Sequence, residues 1–326
     1  ASAGGGPSIK MENALRKVFV LLRSQTGHDF SLYKPSTIHR RIKRGMAVHQ
    51  ITAIEDYVRY LQQRPNEVVA LFRDLLIGVT SFFRDPEAFK ALEEKVIPQL
   101  FAGKSNGEVI RVWVAGCSTG EEAYSIAILL HERMEALKQR YTLQIFATDL
   151  DDRAIAVARS GLYPTSITDD LSPERLARYF TLESNGNTYR VHQTIRDVMV
   201  FSEQAVMKDP PFSKMDLIAC RNLLIYLGAE LQRKLIPLFH YSLNSGGWLF
   251  LGTSEGVGDL DSLFGADDRK AKLFRRKDDS PSCERGTFGR FIPTPVTMDA
   301  ASSSQVGRRL ASGRRSLPEV TEKALL

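Results

Sequence analysis

Apolar side chains recur three and four residues apart through the first third of the chain. The pattern is clear in "ALRKVFVLLRSQTG" (14–27), "AIEDYVRYLQQ" (53–63) and "EVVALFRDLLIG" (67–78), the spacing of amphipathic helices. Gly27 and Gly78 stand where helix C-terminal caps are expected. "RDPEAFKALEEKVIPQL" (84–100) predicts a further helix, with Asp85 as its N-cap and Pro86 at the first helical position. After "GKSNGE" (103–108) the texture changes. "VIRVWVAG" (109–116), "LQIFATDL" (143–150), "MDLIAC" (215–220) and "GWLFLGT" (247–253) read as buried strands, with "KAKLFRRK" (270–277) as the last. Helical patterns alternate with them: one after Gly120 to about 138, "DDRAIAVARS" (151–160), "SPERLARYF" (172–180) with Ser172 as N-cap, and "AELQRKLIPLFHYSL" (229–243). This alternation predicts an α/β domain with a doubly wound sheet. The predicted divisions are a flexible leader (1–11), a helical domain (12–104), an α/β domain (105–277) and a disordered tail (278–326) rich in Ser, Pro, Gly and Arg.

The length of 326 residues suffices for one large or two ordinary domains with a sizeable core. No apolar run reaches the ~20 residues of a membrane helix, and no secretory leader is visible, so no membrane insertion is expected. The chain begins with Ala rather than Met, which is expected of a processed or excised segment. Three cysteines without CxxC spacing predict a reduced, cytoplasmic setting. Six histidines without ligand spacing predict no metal. The net charge of +6 is uneven: residues 1–104 carry 16 basic and 10 acidic side chains, so the whole excess lies in the helical part.

The chemistry concentrates in "VWVAGCSTGEEAYSIA" (112–127), a strand, a glycine loop and a helix start. Such loops commonly hold phosphate, yet Glu121 and Glu122 sit where that phosphate would lie. GxGxxG is also absent, which argues against a dinucleotide. Asp149 ends the second strand, where an acid accepts hydrogen bonds from ribose hydroxyls. S-adenosylmethionine (SAM) is a nucleoside without phosphate that carries a sulfonium and an ammonium, and acids at the rim suit it. "DPPF" (209–212) has the composition of a motif used by DNA amino-methyltransferases, but it precedes the strand 215–220 rather than following it.

Six segments in order carry a family resemblance: "LLIGVTSFFRDPEAF", "RVWVAGCSTGEEAYSIA", "FATDLD", "ARSGLY", "DPPFSKMDLIACRNLLIYL" and "GGWLFLGTSE". Over residues 12–277 the chain resembles the chemotaxis receptor glutamate O-methyltransferases of the CheR type, most of all the versions fused to methylesterase and sensory modules. The resemblance implies an all-helical N-terminal domain, a Rossmann-like SAM-dependent methyltransferase domain, and a small inserted β subdomain near 181–202. It implies SAM as methyl donor and S-adenosylhomocysteine as product. Carried over by position, Thr80 and Arg84 fall near the methionine end of SAM, and Gly116 and Glu121 at the loop. Asp149 falls at the ribose, Ala205 and Val206 near the adenine, Asn222 and Leu223 along the wall, and Tyr226 facing the methyl donor. Two positions depart from the family. Gly78 replaces an Asn ahead of "TSFFR", and Ala205 replaces an Asn near the adenine.

The implied reaction is in-line displacement at the sulfonium methyl by a receptor glutamate. That carboxylate is already ionised at neutral pH and needs no general base. Arg84 and Tyr226 are the expected catalytic pair, Arg84 orienting the carboxylate through its forked donors. "KPSTIHRRIKRGMAVHQ" (34–50) holds Arg40, Arg41, Lys43 and Arg44 and no acid. This stripe is expected to dock the acidic cytoplasmic helices of methyl-accepting chemotaxis receptors. No aromatic residues interleave it as single-strand nucleic-acid binding requires, so no nucleic acid partner is expected. The expected state is a monomeric domain or part of a larger fusion. Two other readings stay open: a SAM-sensing or scaffold module without turnover, and a DNA amino-methyltransferase.

Overall fold

The computed structural model describes residues Ile9–Asp278; the expected tail, but for Asp278, lies outside the described residues. Helix α1 (Ile9–Thr26) starts inside the expected leader. It is followed by α2 (Pro35–Val48), α3 (Ile54–Gln63) and α4 (Pro65–Leu75). Their apolar stripes meet in a core of their own that includes Val18, Leu22, Phe30, Ile38, Ile42, Leu61 and Leu71. Gly27 closes α1 in a left-handed conformation, φ +76°, with its N–H donating to the Arg23 carbonyl at 2.9 Å. Gly78 does not cap α4, which ends three residues earlier.

The helical domain is shorter than expected. Helix α5 (Pro86–Ala91), a π-helical turn (Leu92–Val96) and α6 (Ile97–Phe101) bury Phe89, Leu92, Val96 and Leu100 in the core of the α/β domain. The boundary therefore falls after Leu75 and not at residue 104, because apolar faces and not helix content decide which core a helix joins. Asp85 occupies the N-cap position, at φ +60°, but its side chain caps no helix N–H group.

The α/β domain runs β1 (Val109–Ala115), α7 (Glu121–Leu137), β2 (Thr142–Asp149), α8 (Asp152–Ser160), β3 (Leu162–Pro164), α9 (Pro173–Tyr179), β4 (Phe180–Leu182), β5 (Thr188–Val191), α10 (Gln193–Arg196), β6 (Met199–Glu203), β7 (Met215–Cys220), α11 (Ala229–Ser242), β8 (Leu243–Leu251), β9 (Phe264–Asp268) and β10 (Leu273–Arg276). Seven strands make one sheet in the order β6-β2-β1-β7-β8-β10-β9. The first five are parallel, and β10 pairs antiparallel with both β8 and β9. β1 and β7 are largely covered on both faces, which explains their mostly apolar sequences, interrupted by Arg111 and Asp216 near their starts.

β3, β5 and β4 form a separate antiparallel sheet. The inserted subdomain thus begins near Leu162 and ends at Val191. Residues 199–202, expected within it, pair with β2 in the main sheet. Strands of three residues are too short to show a period-two pattern, which is why β3 and β4 escape sequence reading.

Gly120 starts α7 at φ +97°. A Cβ there would lie 2.8 Å from the Ala158 Cβ and 3.2 Å from Phe201 and Tyr163. Backbone strain and overpacking act together, so Gly120→Ala is expected to cost about 2–4 kcal/mol. Urea denaturation of the variant measures this; an unchanged midpoint would show that α7 can shift without cost.

Candidate functional site

The strand order reverses between β1 and β7: β1 is followed by β2 on one flank, while β7 lies on the other. In open α/β sheets the ligand crevice lies at that switch, beyond the carboxyl ends of the strands. A cavity of about 680 Å³ opens there, in the range of small-molecule sites. Its floor includes Gly116 at the end of β1, Asp149 at the end of β2, and Asn222 and Leu223 after β7. Ala205, Val206, Thr80, Arg84 and Tyr226 also line it.

Gly116 must be glycine for two reasons. Its φ is +77°, and a Cβ would stand 3.2 Å from Leu223 Cδ2. Asp149 accepts the Ser118 N–H at 2.7 Å on one oxygen and the Asp151 N–H at 2.9 Å on the other. An ionised carboxylate has about four acceptor positions, so each oxygen keeps room for a ligand hydroxyl. Burial raises the Asp149 carboxyl above its ordinary pKa, opposed by those N–H donors.

Glu121 departs from expectation, since it is absent from the cavity wall. Its carboxylate accepts the Thr119 hydroxyl at 2.7 Å. Neighbouring residues on a helix point about 100° apart, and the acid that lines the cavity is Glu122. Glu122 is buried and bonded by Arg221 Nη1 at 3.2 Å. Burial pushes its carboxyl upward, with Arg221 pulling it back.

Arg221, missed in the sequence, joins these parts. Its side chain is fully buried. Nη2 donates to the Asp85 carboxylate at 2.7 Å and to the Arg84 carbonyl at 3.1 Å. Its guanidinium lies 4.6 Å from the Phe250 ring centre and 5.2 Å from that of Phe89. Asp85 therefore serves Arg221 and not the helix. The turn so held presents Arg84, which donates from one Nη to the Val79 carbonyl at 2.7 Å; the rest of its fork makes no hydrogen bond among the described residues. Glu255 is a second missed residue. It accepts N–H groups of Gly252, Asn222 and Ile225 at 2.7, 3.0 and 3.1 Å, which fixes Asn222 at φ +59°. The one signal for both was a charge beside an apolar strand, in "ACRN" and "GTSE".

The two family departures have structural counterparts. Gly78 approaches Ser118, whose hydroxyl donates to the Gly78 carbonyl at 3.2 Å. Ala205 uses its backbone internally: its N–H goes to the Asp209 carboxylate, and its carbonyl accepts from Lys208 and Asp209. "DPPF" lies away from the cavity, with the Phe212 ring stacked 4.5 Å from Phe146 and edge-on to Trp113. The basic stripe lies on α2, outside the cavity wall. Arg41 and Arg44 pair with Asp74 at 3.6 and 3.0 Å, while Arg40 and Lys43 have no ion pair among the described residues. Among those residues no His, Cys, Asp and Glu group is arranged for a metal ion, and no helix is long and apolar enough to cross a membrane.

A sheet of this order, a glycine turn after β1 and a half-buried acid ending β2 suit a SAM-dependent methyltransferase. Residues 78–271 match the family described as "CheR methyltransferase, SAM binding domain", and residues 13–76 match "CheR methyltransferase, all-alpha domain". The chain belongs to the CheR methyltransferase family, and its cofactor is SAM. An uncharacterized 104.1 kDa protein from the hypE 3′ region of Rhodobacter capsulatus is 36% identical over 315 residues, 95% of this chain and 33% of the relative. Chemotaxis protein methyltransferase 1 of Pseudomonas aeruginosa is 31% identical over 74% of this chain and 89% of its own length. Chemotaxis protein methyltransferase 2 of Vibrio cholerae is 31% identical over 74% and 84%. The chain thus spans about a third of the Rhodobacter relative and most of the other two.

Removing the Arg221 charge strands Glu122 and Asp85. Arg221→Met is expected to destabilise by about 3–5 kcal/mol. Combined with Glu122→Gln, the loss should fall short of the summed single losses by about 1 kcal/mol or more. Urea denaturation of the four proteins of this cycle checks it; simple additivity would deny the coupling.

Proposed function

We propose that this protein transfers a methyl group from SAM to glutamate side chains of chemotaxis receptors, forming glutamyl methyl esters. The reading is supported above all by one observation. A single cavity is lined by two acids, the buried Glu122 and the half-buried Asp149, and by a guanidinium, Arg84, that has donors to spare. The names of the Pseudomonas and Vibrio relatives supply the chemotaxis setting.

The residues present fit SAM. Asp149 offers acceptors to the sugar hydroxyls, and Gly116 leaves space for a close approach. Glu122 offers negative charge to a cationic ligand, and Ala205 and Val206 offer an apolar wall to the base. Bound there, SAM supplies a methyl group activated by its sulfonium. Arg84 would receive the incoming carboxylate in its fork. Tyr226 would hydrogen-bond that carboxylate or pack beside the methyl group. No side chain need act as a base, because a glutamate of pKa about 4.3 arrives ionised. The work left to the protein is alignment and exclusion of water. Arg40 and Lys43 on α2, with Arg44 in competition from Asp74, would meet an acidic receptor helix.

A non-catalytic SAM-binding module is the second reading, favoured by the engaged backbone of Ala205. Incubation with radiolabelled SAM and receptor-bearing membranes separates the two. Base-labile label on the receptor is the expected result; tight SAM binding without transfer would support the module instead.

Two further outcomes follow for binding. SAM should bind with a Kd near 1 μM, about −8 kcal/mol, and Asp149→Ala should weaken it at least tenfold by calorimetry. The sign of the pH effect follows from burial. Both acids titrate above their ordinary values, and a cationic ligand favours their ionised forms. Binding should therefore weaken as pH falls from neutral toward about 5, with proton release that grows over the same range. Titrations in buffers of different ionisation enthalpy measure this, and an absence of proton exchange would place the ligand's cations away from both acids.

A further inference from the structure

The helical domain also reaches the cavity. Between α1 and α2 the chain runs alongside the segment after β7, and Tyr33 bridges Leu227 in antiparallel fashion. The Lys34 N–H donates to the Tyr226 carbonyl at 2.9 Å, and the Gly228 N–H to the Leu32 carbonyl at 2.9 Å. This pins Tyr33 at the cavity wall, with its ring 4.7 Å from that of Phe30. Its side chain is half-buried, and its hydroxyl has no hydrogen-bond partner among the described residues, so it is free to donate to a group bound in the cavity. Burial, and then the negative charge of Asp149, push its pKa up to about 12. The phenol therefore stays protonated, remains a donor at neutral pH, and faces the same region as Asp149 without bonding to it.

The chemistry of a sugar diol fits that gap. A carboxylate only accepts hydrogen bonds, so Asp149 can take the hydroxyl protons but leaves the hydroxyl oxygens without a donor. Tyr33 is an unengaged O–H donor on that side of the cavity. We propose that the Tyr33 hydroxyl is a second sugar-binding group, donating to a ribose hydroxyl that Asp149 holds from the other side, so that the helical domain completes the nucleoside site. The proposal rests on the reading of Asp149 as the sugar's acid.

The test uses the whole chain and S-adenosylhomocysteine, with its 2′-deoxy and 3′-deoxy analogues, in calorimetry. Tyr33→Phe keeps the ring against Phe30 and removes only the hydroxyl. It should weaken S-adenosylhomocysteine about 3- to 10-fold, the effect of one neutral hydrogen bond. The penalty that wild type shows for at least one deoxy analogue should shrink in the variant. A purely structural role would weaken all three nucleosides alike, and that result would overturn the proposal. Unchanged affinity in Tyr33→Phe would overturn it too. Asp149→Ala, measured in parallel, tells the failures apart. If it alone loses binding, Tyr33 is excluded and the sugar acid stands; if neither variant loses binding, both assignments fall.

Discussion

A guanidinium without solvent contact holds the site together. Taking Arg221 out of water costs several kcal/mol, and no single partner offsets that. Two carboxylates, one carbonyl and the faces of Phe89 and Phe250 do so jointly. These partners come from four parts of the chain: the turn before α5, α5 itself, the start of α7, and strand β8. The pairing contributes little net stability compared with an apolar replacement. What it contributes is geometry. Asp85 sits at a left-handed φ and Phe83 at +48°, a backbone that an L-residue adopts only when its surroundings over-determine it. Arg84, between them, therefore projects from a clamped turn rather than a mobile loop.

The same cluster sets the electrostatics of the cavity. Glu122 is buried and Asp149 half-buried, and burial works against the ionisation of both. A carboxyl raised in the fold contributes stability below its unfolded pKa and loses it as pH rises through the folded value. At neutral pH the cavity lining is thus a point of electrostatic tension, only partly relieved by Arg221. A ligand bearing positive charge offsets that tension, whereas a pyrophosphate adds to it. Preference for a cationic nucleoside over a dinucleotide follows from charge, apart from any motif.

Legibility in the sequence tracked the range of the interactions involved. β1 and β7 are largely covered on both faces, so their apolar runs were unmistakable. Asp149 and Gly116 were legible because strand–turn geometry alone fixes them. Glu121 was preferred over Glu122 because one helical step separates them, and only the docking of α7 on the sheet decides which faces the cavity. Asp85 had the residue type and the following proline of an N-cap, but a bond to Arg221, 136 residues away in sequence, outweighed it. Tyr33 lies in a connection between helices with no local signal, and only the antiparallel pairing with Leu227 brings it to the cavity. The α5–α6 helices were assigned to the wrong core because periodicity reports an apolar face and not what covers it.

The basic face of α2 is less cationic than its sequence, since Asp74 already engages Arg41 and Arg44. The two pairs differ in kind. Arg41 is 18% exposed, and its partner is fixed by packing; Arg44 is 63% exposed, and an exposed pair is worth less than about 1 kcal/mol. Arg44 is therefore the more loosely held of the two, while Arg40 and Lys43 have no ion pair among the described residues. α2 begins two residues after Tyr33, and Lys34 between them is bonded to Tyr226. The basic face of α2 and the cavity wall are thereby joined by one short, hydrogen-bonded stretch of backbone.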